Sequence, residues 1–194
     1  LNTMIRNPDL QKASLESVLD AIRVSATLRL EPTGILGEGY IIKYGDKAQF
    51  EAGYRGLMKL ARQSGEIIDI YSHEVYSADH FVFEYGLNKK LEHLPANGDR
   101  GTLAFAYCVW ETKNHVKGFE VIDRKRIDRA KSASEGFKAH KAGKIKSTPW
   151  VDDEAEMWRK TAVRAAAKYM PSSTSDEAFS RAIDLDEPDL TDAP

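Results

Sequence analysis

Hydrophobic positions along the chain fall first at helical and then at strand spacing, and their order predicts the elements. Leu15, Val18, Leu19, Ile22 and Ala26 mark one apolar helix face. Asn7-Pro8-Asp9 supplies its start, with Asn7 as the capping residue, and the helix is expected to end near Leu30, ahead of Pro32. Gly34, Gly37 and Gly39 bend the chain into a short strand over 40–44 that turns at Gly45-Asp46. Phe50, Tyr54, Leu57 and Ala61 recur at helical spacing, which predicts a second helix over 47–64 with Gly65 as its stop. Gly53 and Gly56 would each cost such a helix about 1 kcal/mol, so they are expected where another backbone or a ligand comes close.

Further along, the period shortens to two. Alternation over 66–76, with Ile68 and Ile70, predicts a strand, and Asp79-His80 is expected to turn it into 81–85 as a hairpin. A loop over 95–101 precedes a second hairpin, 102–111 and 117–122 around Lys113-Asn114-His115, with Leu103, Phe105, Tyr107 and Val109 on one face. Asp123 is expected to cap a basic helix over 124–132, and the lysine-rich stretch 136–149 to stay mobile without a ligand. The last strong pattern, 149–171, places Ala155, Trp158, Ala162, Ala165 and Tyr169 on one helix face and Lys160, Arg164 and Lys168 on the opposite one. This order predicts an α+β fold with a mainly antiparallel β-sheet of hairpins packed by helices. Residues 1–171 are expected to form one core domain, and 172–194 a polar linker and a flexible or weakly helical acidic tail.

Charge changes this picture more than composition does. With 42% hydrophobic and 30% charged residues the chain reads as an ordinary globular protein. No apolar run reaches the roughly 18 residues of a spanning helix, and no signal peptide opens the sequence, so a cytoplasmic protein is expected. The single cysteine, Cys108, fits a reducing compartment and lies in a strand pattern that predicts burial. The net charge of −2 hides a separation: seven acids and one base fall in 176–194, leaving 27 bases against 23 acids in the body. Between Lys113 and Lys146 eleven Lys and Arg face four acids. A basic block feeding a helix with a basic row is the footprint of a polyanion binder. Three bases at successive i+4 steps repel one another, so that row needs open solvent or an anion.

Other chemistry is thin. His73, His80, His93, His115 and His140 show no zinc spacing, and no serine sits in a nucleophile elbow. The glycines at 34, 37 and 39 are followed by no Gly-Lys-Ser/Thr, so no nucleotide loop is read there. Asp152, Asp153, Glu154 and Glu156 form the one carboxylate cluster. It could hold Mg²⁺ for a metal-dependent nuclease, or serve as first-turn acids favoured by the helix dipole. Among the aromatic residues interleaved with the bases, Trp150, beside Pro149 at the end of the lysine-rich stretch, is the best candidate for a ring that stacks on an unpaired base.

Several of these segments resemble the RecT family of phage and prophage single-strand annealing proteins. The resemblance rests on Leu30-Glu31-Pro32, Leu36-Gly37-Glu38-Gly39-Tyr40-Ile41-Ile42-Lys43-Tyr44 and the 49–65 segment with Gly53-Tyr54-Arg55-Gly56-Leu57. It continues through Val75-Tyr76, His93-Leu94-Pro95, Arg100-Gly101, Phe119-Glu120-Val121 and 149–171 with Lys160-Thr161 and Arg164. Arg29 stands where a glycine is commoner, and Ala165 follows Arg164 where a second arginine is common. The resemblance implies a single-strand annealing protein fold and ATP-independent annealing without a cofactor, on a homo-oligomeric ring or filament. Its implied partners are single-stranded and annealed duplex DNA, a 5′–3′ exonuclease and a host single-strand-binding protein. The cations expected to line the DNA backbone are Lys160, Arg164 and Lys168, with Arg124, Lys125, Arg126, Lys144 and Lys146 from the basic run and Arg55 and Arg62 from the second helix. A metal-dependent nuclease and a non-annealing strand protector are the alternatives.

Overall fold

The computed structural model describes residues 8–171 and 178–185. Asn7, 172–177 and 186–194 lie outside them, and with them the expected first cap, the linker and most of the tail acids. The chain divides into two units, one ending at Asp69 and resuming at Met170, the other running from Ile70 to Tyr169.

In the first unit a 3-10 turn (Pro8–Lys12) precedes helix α1 (Leu15–Leu28). Its cap is Ser14, whose hydroxyl accepts the Ser17 N–H at 3.4 Å. The helix therefore begins later than the proline pattern predicts. Its packed face is Val18, Ala21, Ser25 and Leu28, whereas Leu15, Leu19 and Ile22 of the expected face are exposed. Small residues at 21 and 25 suit the closely placed strand β2, against which α1 lies.

Strands β1 (Gly39–Tyr44) and β2 (Lys47–Ala52) form an antiparallel hairpin in which Ile41 faces Phe50. This corrects the helix expected over 47–64, whose first six residues are strand; helix α2 occupies only Tyr54–Gln63. Ala48, Phe50 and Ala52 are buried in alternation, so the period over these residues is two, and Phe50 belongs to that pattern rather than to the helix face. Gly53 and Gly56 behave as expected. A Cβ at Gly53 would lie 2.2 Å from the Gly37 carbonyl oxygen, and one at Gly56 2.0 Å from that of Glu38. The 37–38 backbone thus crosses the first turn of α2 at a separation only glycine permits. Lys59 Nζ reinforces the crossing with bonds to the Glu38 carboxylate at 2.8 and 2.9 Å and to the Arg29 carbonyl at 3.1 Å.

In the second unit β3 (Ile67–Tyr76), β6 (Leu103–Thr112) and β7 (Lys117–Asp123) form one sheet in the order β3-β6-β7. Strand β4 (His80–Glu84) does not pair with β3, as the 79–80 turn suggested. It pairs antiparallel with β5 (Lys90–Leu94), a strand that the sequence reading missed. This small hairpin packs Phe81, Phe83 and Leu91 against a core of Val75, Tyr107, Phe119 and Val121. Ala106, Cys108 and Trp110 alternate with the core-facing residues of β6 and are buried too. The free Cys108 thiol is pushed up by burial, which leaves it inert as a nucleophile.

Asp123 caps α3 (Arg124–Ala133) by accepting the Arg126 N–H at 2.9 Å, as predicted. Part of the stretch expected as coil is helical: α4 (Glu135–Lys141) starts at Ser134, whose hydroxyl accepts the Phe137 N–H. The 149–171 pattern is two helices, α5 (Pro149–Asp152) and α6 (Glu154–Ala167), separated at Asp153 by non-helical dihedrals of −134° and 51°. α6 lies along β6 and β7. In the first unit, α7 (Ala178–Asp184) packs against α2, which places a helix where the sequence left the choice between weak helix and disorder. Mixed α+β architecture with antiparallel sheets packed by helices agrees with the expected fold class.

One buried charge holds the β4–β5 hairpin in place. The Asp79 side chain, fully buried, accepts from Arg100 at 2.9 and 2.6 Å, from the N–H groups of Tyr76 and Ala96 at 2.8 and 2.9 Å, and pairs with His93 Nε2 at 3.1 Å. His93 Nδ1 in turn meets the Tyr107 hydroxyl at 3.2 Å, and Arg100 lies over the Tyr76 ring at 4.3 Å. The Arg100 guanidinium, ahead of the backbone donors, holds the Asp79 carboxyl far below the usual carboxylate range. Burial pushes the Tyr107 phenol up to about 12.

These contacts set the direction expected for three substitutions and for the response to acid. Gly56→Ala is expected to destabilise the protein by about 1–3 kcal/mol through overpacking, although alanine is the better helix former. Arg29 occupies the left-handed region at φ 54°, so Arg29→Gly is expected to stabilise by about 1 kcal/mol; urea melts of both variants check the opposite signs. Asp79→Ala is expected to cost about 3–5 kcal/mol because Arg100 and His93 lose their buried partner. The folded-state pKa of Asp79 lies below its unfolded value, so its stabilisation is complete above about pH 4 and declines as pH falls further. Wild-type stability should therefore drop below pH 4 more steeply than that of Asp79→Ala, as urea melts across the acid range would show.

Candidate nucleic-acid interface

The depth of α6 in its unit sorts its cations. Trp158, Ala162, Val163, Ala165 and Ala166 are buried, and Lys160 is buried with them, 8% exposed. Arg164 is half-buried, and Lys168, at the helix end, is exposed. The predicted cation row is thus a graded series, and Tyr169, assigned to the packed face, is 63% exposed. The physical reason is that α6 packs on more than one side: it lies against β6 and β7 and also against α3. A helix covered on two sides has no single polar face.

On α3 the residues diverge. Arg124 extends over the Trp158 ring at 5.3 Å and donates to the Leu103 carbonyl, and among the described residues no carboxylate stands at ion-pair distance from it. Lys125 is exposed, whereas Arg126 is half-buried and paired with Glu120 at 2.7 Å. Lys131 pairs with Glu154 at 2.9 Å and approaches the Phe137 ring, and Lys138 pairs with Glu135 at 2.6 Å. Lys141, Lys144 and Lys146 are exposed in and after the last turn of α4. Among the described residues Lys125, Arg129, Lys141, Lys144 and Lys146 have no carboxylate at ion-pair distance, so these five keep their full charge for an outside anion.

Arg55 and Arg62 lie on the exposed side of α2 in the first unit. Arg55 Nε donates to the Tyr54 hydroxyl at 3.3 Å, and Arg62 stands 4.0 Å from Asp69. Trp150 departs from its expected role. At 4% exposure it is a core residue of α5, and its ring cannot stack on a base without leaving the interior.

The carboxylates near α6 are engaged locally. Glu154 meets Lys131, Glu156 meets Arg159, and Asp152 accepts from the Ser147 hydroxyl. Arg159 also reaches Glu74 on β3 at 2.6 Å, while Ser72 donates to the carbonyls of Tyr107 and Arg159, so α6 is tied to the sheet by side chains as well as by packing. Among the described residues no three of His, Cys, Asp and Glu are grouped to hold a metal ion. The sequence reading missed Asp79, His93 and Arg100 as a unit, because their convergence depends on the β4–β5 pairing.

Residues 1–193 match the model of the RecT family. The chain is 36% identical over 188 residues to the protein RecT of Escherichia coli K12, covering 93% of this chain and 66% of that one. It is 44% identical over 57 residues to the uncharacterized protein YqaK of Bacillus subtilis 168, covering 29% of this chain and 20% of that one. The chain therefore spans just under two thirds of one relative's length and a fifth of the other's. With the family match running along nearly its whole length, the chain belongs to the RecT family.

Proposed function

We propose that this protein anneals complementary DNA single strands without ATP in homologous recombination, binding single strands and the annealed duplex by their phosphates as a homo-oligomeric ring or filament. The observation that carries this reading is the set of exposed cations on α3 and at 141–146 that no carboxylate neutralises among the described residues, in a chain of the RecT family. Base pairing supplies the driving force, on average about 1.4 kcal/mol per stacked step, so neither nucleotide fuel nor a catalytic group is required. The protein's part is to screen phosphate repulsion while leaving base edges accessible. Lys125, Lys144, Lys146 and Arg124 are the outer contacts; Lys168, Arg164 and Lys160 extend the set along α6, Arg126 supports it by holding α3 in place through Glu120, and Arg55 and Arg62 offer a separate basic patch on the first unit. An exonuclease that exposes 3′ strands acts before it, and a host single-strand-binding protein shares its substrate, in the bacterial cytoplasm.

If about five phosphates are neutralised per protomer, the log-log salt slope for single strands is expected near −3.5. Lys144→Gln with Lys146→Gln should flatten it by about 1.4, weaken oligonucleotide binding and slow annealing, with an unchanged circular dichroism spectrum. An unaltered slope would refute the assignment. Lys160→Ala, in contrast, should lower thermal stability as well as binding, because the residue is buried. Labelled strands incubated with Mg²⁺ should keep their length; shortening would favour a nuclease instead.

A further inference from the structure

The cations account for backbone binding, but with Trp150 in the core nothing so far contacts a base. Tyr85 fills that gap. Its ring stacks on Phe119, with centroids 5.3 Å apart and planes at 26°, and meets the edge of Phe83 at 5.7 Å. Its hydroxyl accepts the Val121 N–H at 3.0 Å. Phe119 is buried, yet Tyr85 is 53% exposed. A ring fixed on one face and at its tip, and open elsewhere, has already lost the rotamer freedom that binding would otherwise cost.

Its surroundings suit a nucleic acid. Burial raises the Tyr85 phenol first, and the Glu120 carboxylate and the Tyr169 phenol add to that rise, while Arg126 and the Val121 N–H act against it. Further along the chain Tyr169, next to the exposed Lys168, is 63% exposed. The Glu120 carboxylate, which also acts on the ring, is paired with Arg126 at 2.7 Å.

We propose that Tyr85 is a stacking platform for an unpaired nucleobase of the bound strand. This rests on the DNA-binding reading above and adds to it a residue that touches bases. Stacking on one ring is expected to raise affinity about ten-fold, which corresponds to about 1.4 kcal/mol. The platform is indifferent to base identity, since every base has a π-face.

The test compares the full chain on a fluorescent thymidine oligonucleotide and on an oligonucleotide with the same number of phosphates and a run of abasic sites. Wild type is expected to prefer the base-bearing strand by about ten-fold. Tyr85→Leu should reduce that preference, leaving abasic binding and the salt slope unchanged, while Tyr85→Phe keeps it. Because Tyr85→Leu disturbs the Phe119 contact, photo-crosslinking of a 5-iodouracil strand to wild type provides an independent readout, with adducts expected on Tyr85 and their absence there counting against the platform. Equal affinity of wild type for both strands overturns the platform and leaves the backbone-binding proposal intact; binding to neither strand overturns both. Altered sedimentation of Tyr85→Leu without DNA would assign the patch to a second copy of the chain, and so would also overturn the platform.

Discussion

Close packing of α6 on β6 governs how the second unit presents its charge. Alanines at 162, 165 and 166 let the helix settle deeply, with Trp158 wholly buried. Arg159 and Ser72 tie the helix to the sheet through Glu74 and two carbonyls. At that depth Lys160 enters the interior, Arg164 is half covered and Lys168 reaches solvent. The cost of burying an ammonium group is severe unless it is compensated, so this gradient reflects a tightly specified helix position. Charge open to an outside anion moves outward, to α3 and the segment after α4.

The same economy separates structural from available cations. Arg100, Arg126, Lys131 and Arg159 each engage a carboxylate within 3 Å and are at least two-thirds buried. Lys125, Lys144 and Lys146 do not, among the described residues. Cations locked to carboxylates add little net attraction for a polyanion, whereas open ones release counterions when a phosphate replaces the solvent. Count alone, eleven bases against four acids between Lys113 and Lys146, overstates the binding charge, because ion pairs reach acids outside that window, such as Glu154.

The Asp79 cluster does for the β4–β5 hairpin what packing does for α6. A short two-stranded hairpin is marginal by itself. Here a buried carboxylate gathers Arg100, His93 and two backbone donors from the flanking loops, and an aromatic layer of Phe81, Phe83, Phe105 and Tyr107 fills the space against the sheet. Tyr85 opens the turn of this hairpin, directly after β4, and its ring is held on Phe119.

Local signals were sufficient wherever neighbours in sequence decide the outcome. The alternation in β6 and β7, the Asp123 cap, the burial of Cys108, the glycines at 53 and 56 and the α+β class were all legible, because each follows from periodicity, capping or steric need within a few residues. The strand at Lys47–Ala52 was obscured because Phe50 also satisfies a helical spacing, and only its pairing with Ile41 breaks the tie. Strand partners, the rotation of α1, the burial of Trp150 and Lys160 and the assembly around Asp79 depend on residues far apart in the chain. Such choices are made by packing and by the pairing of buried charges, which act through distance in space and leave no periodic trace in the sequence.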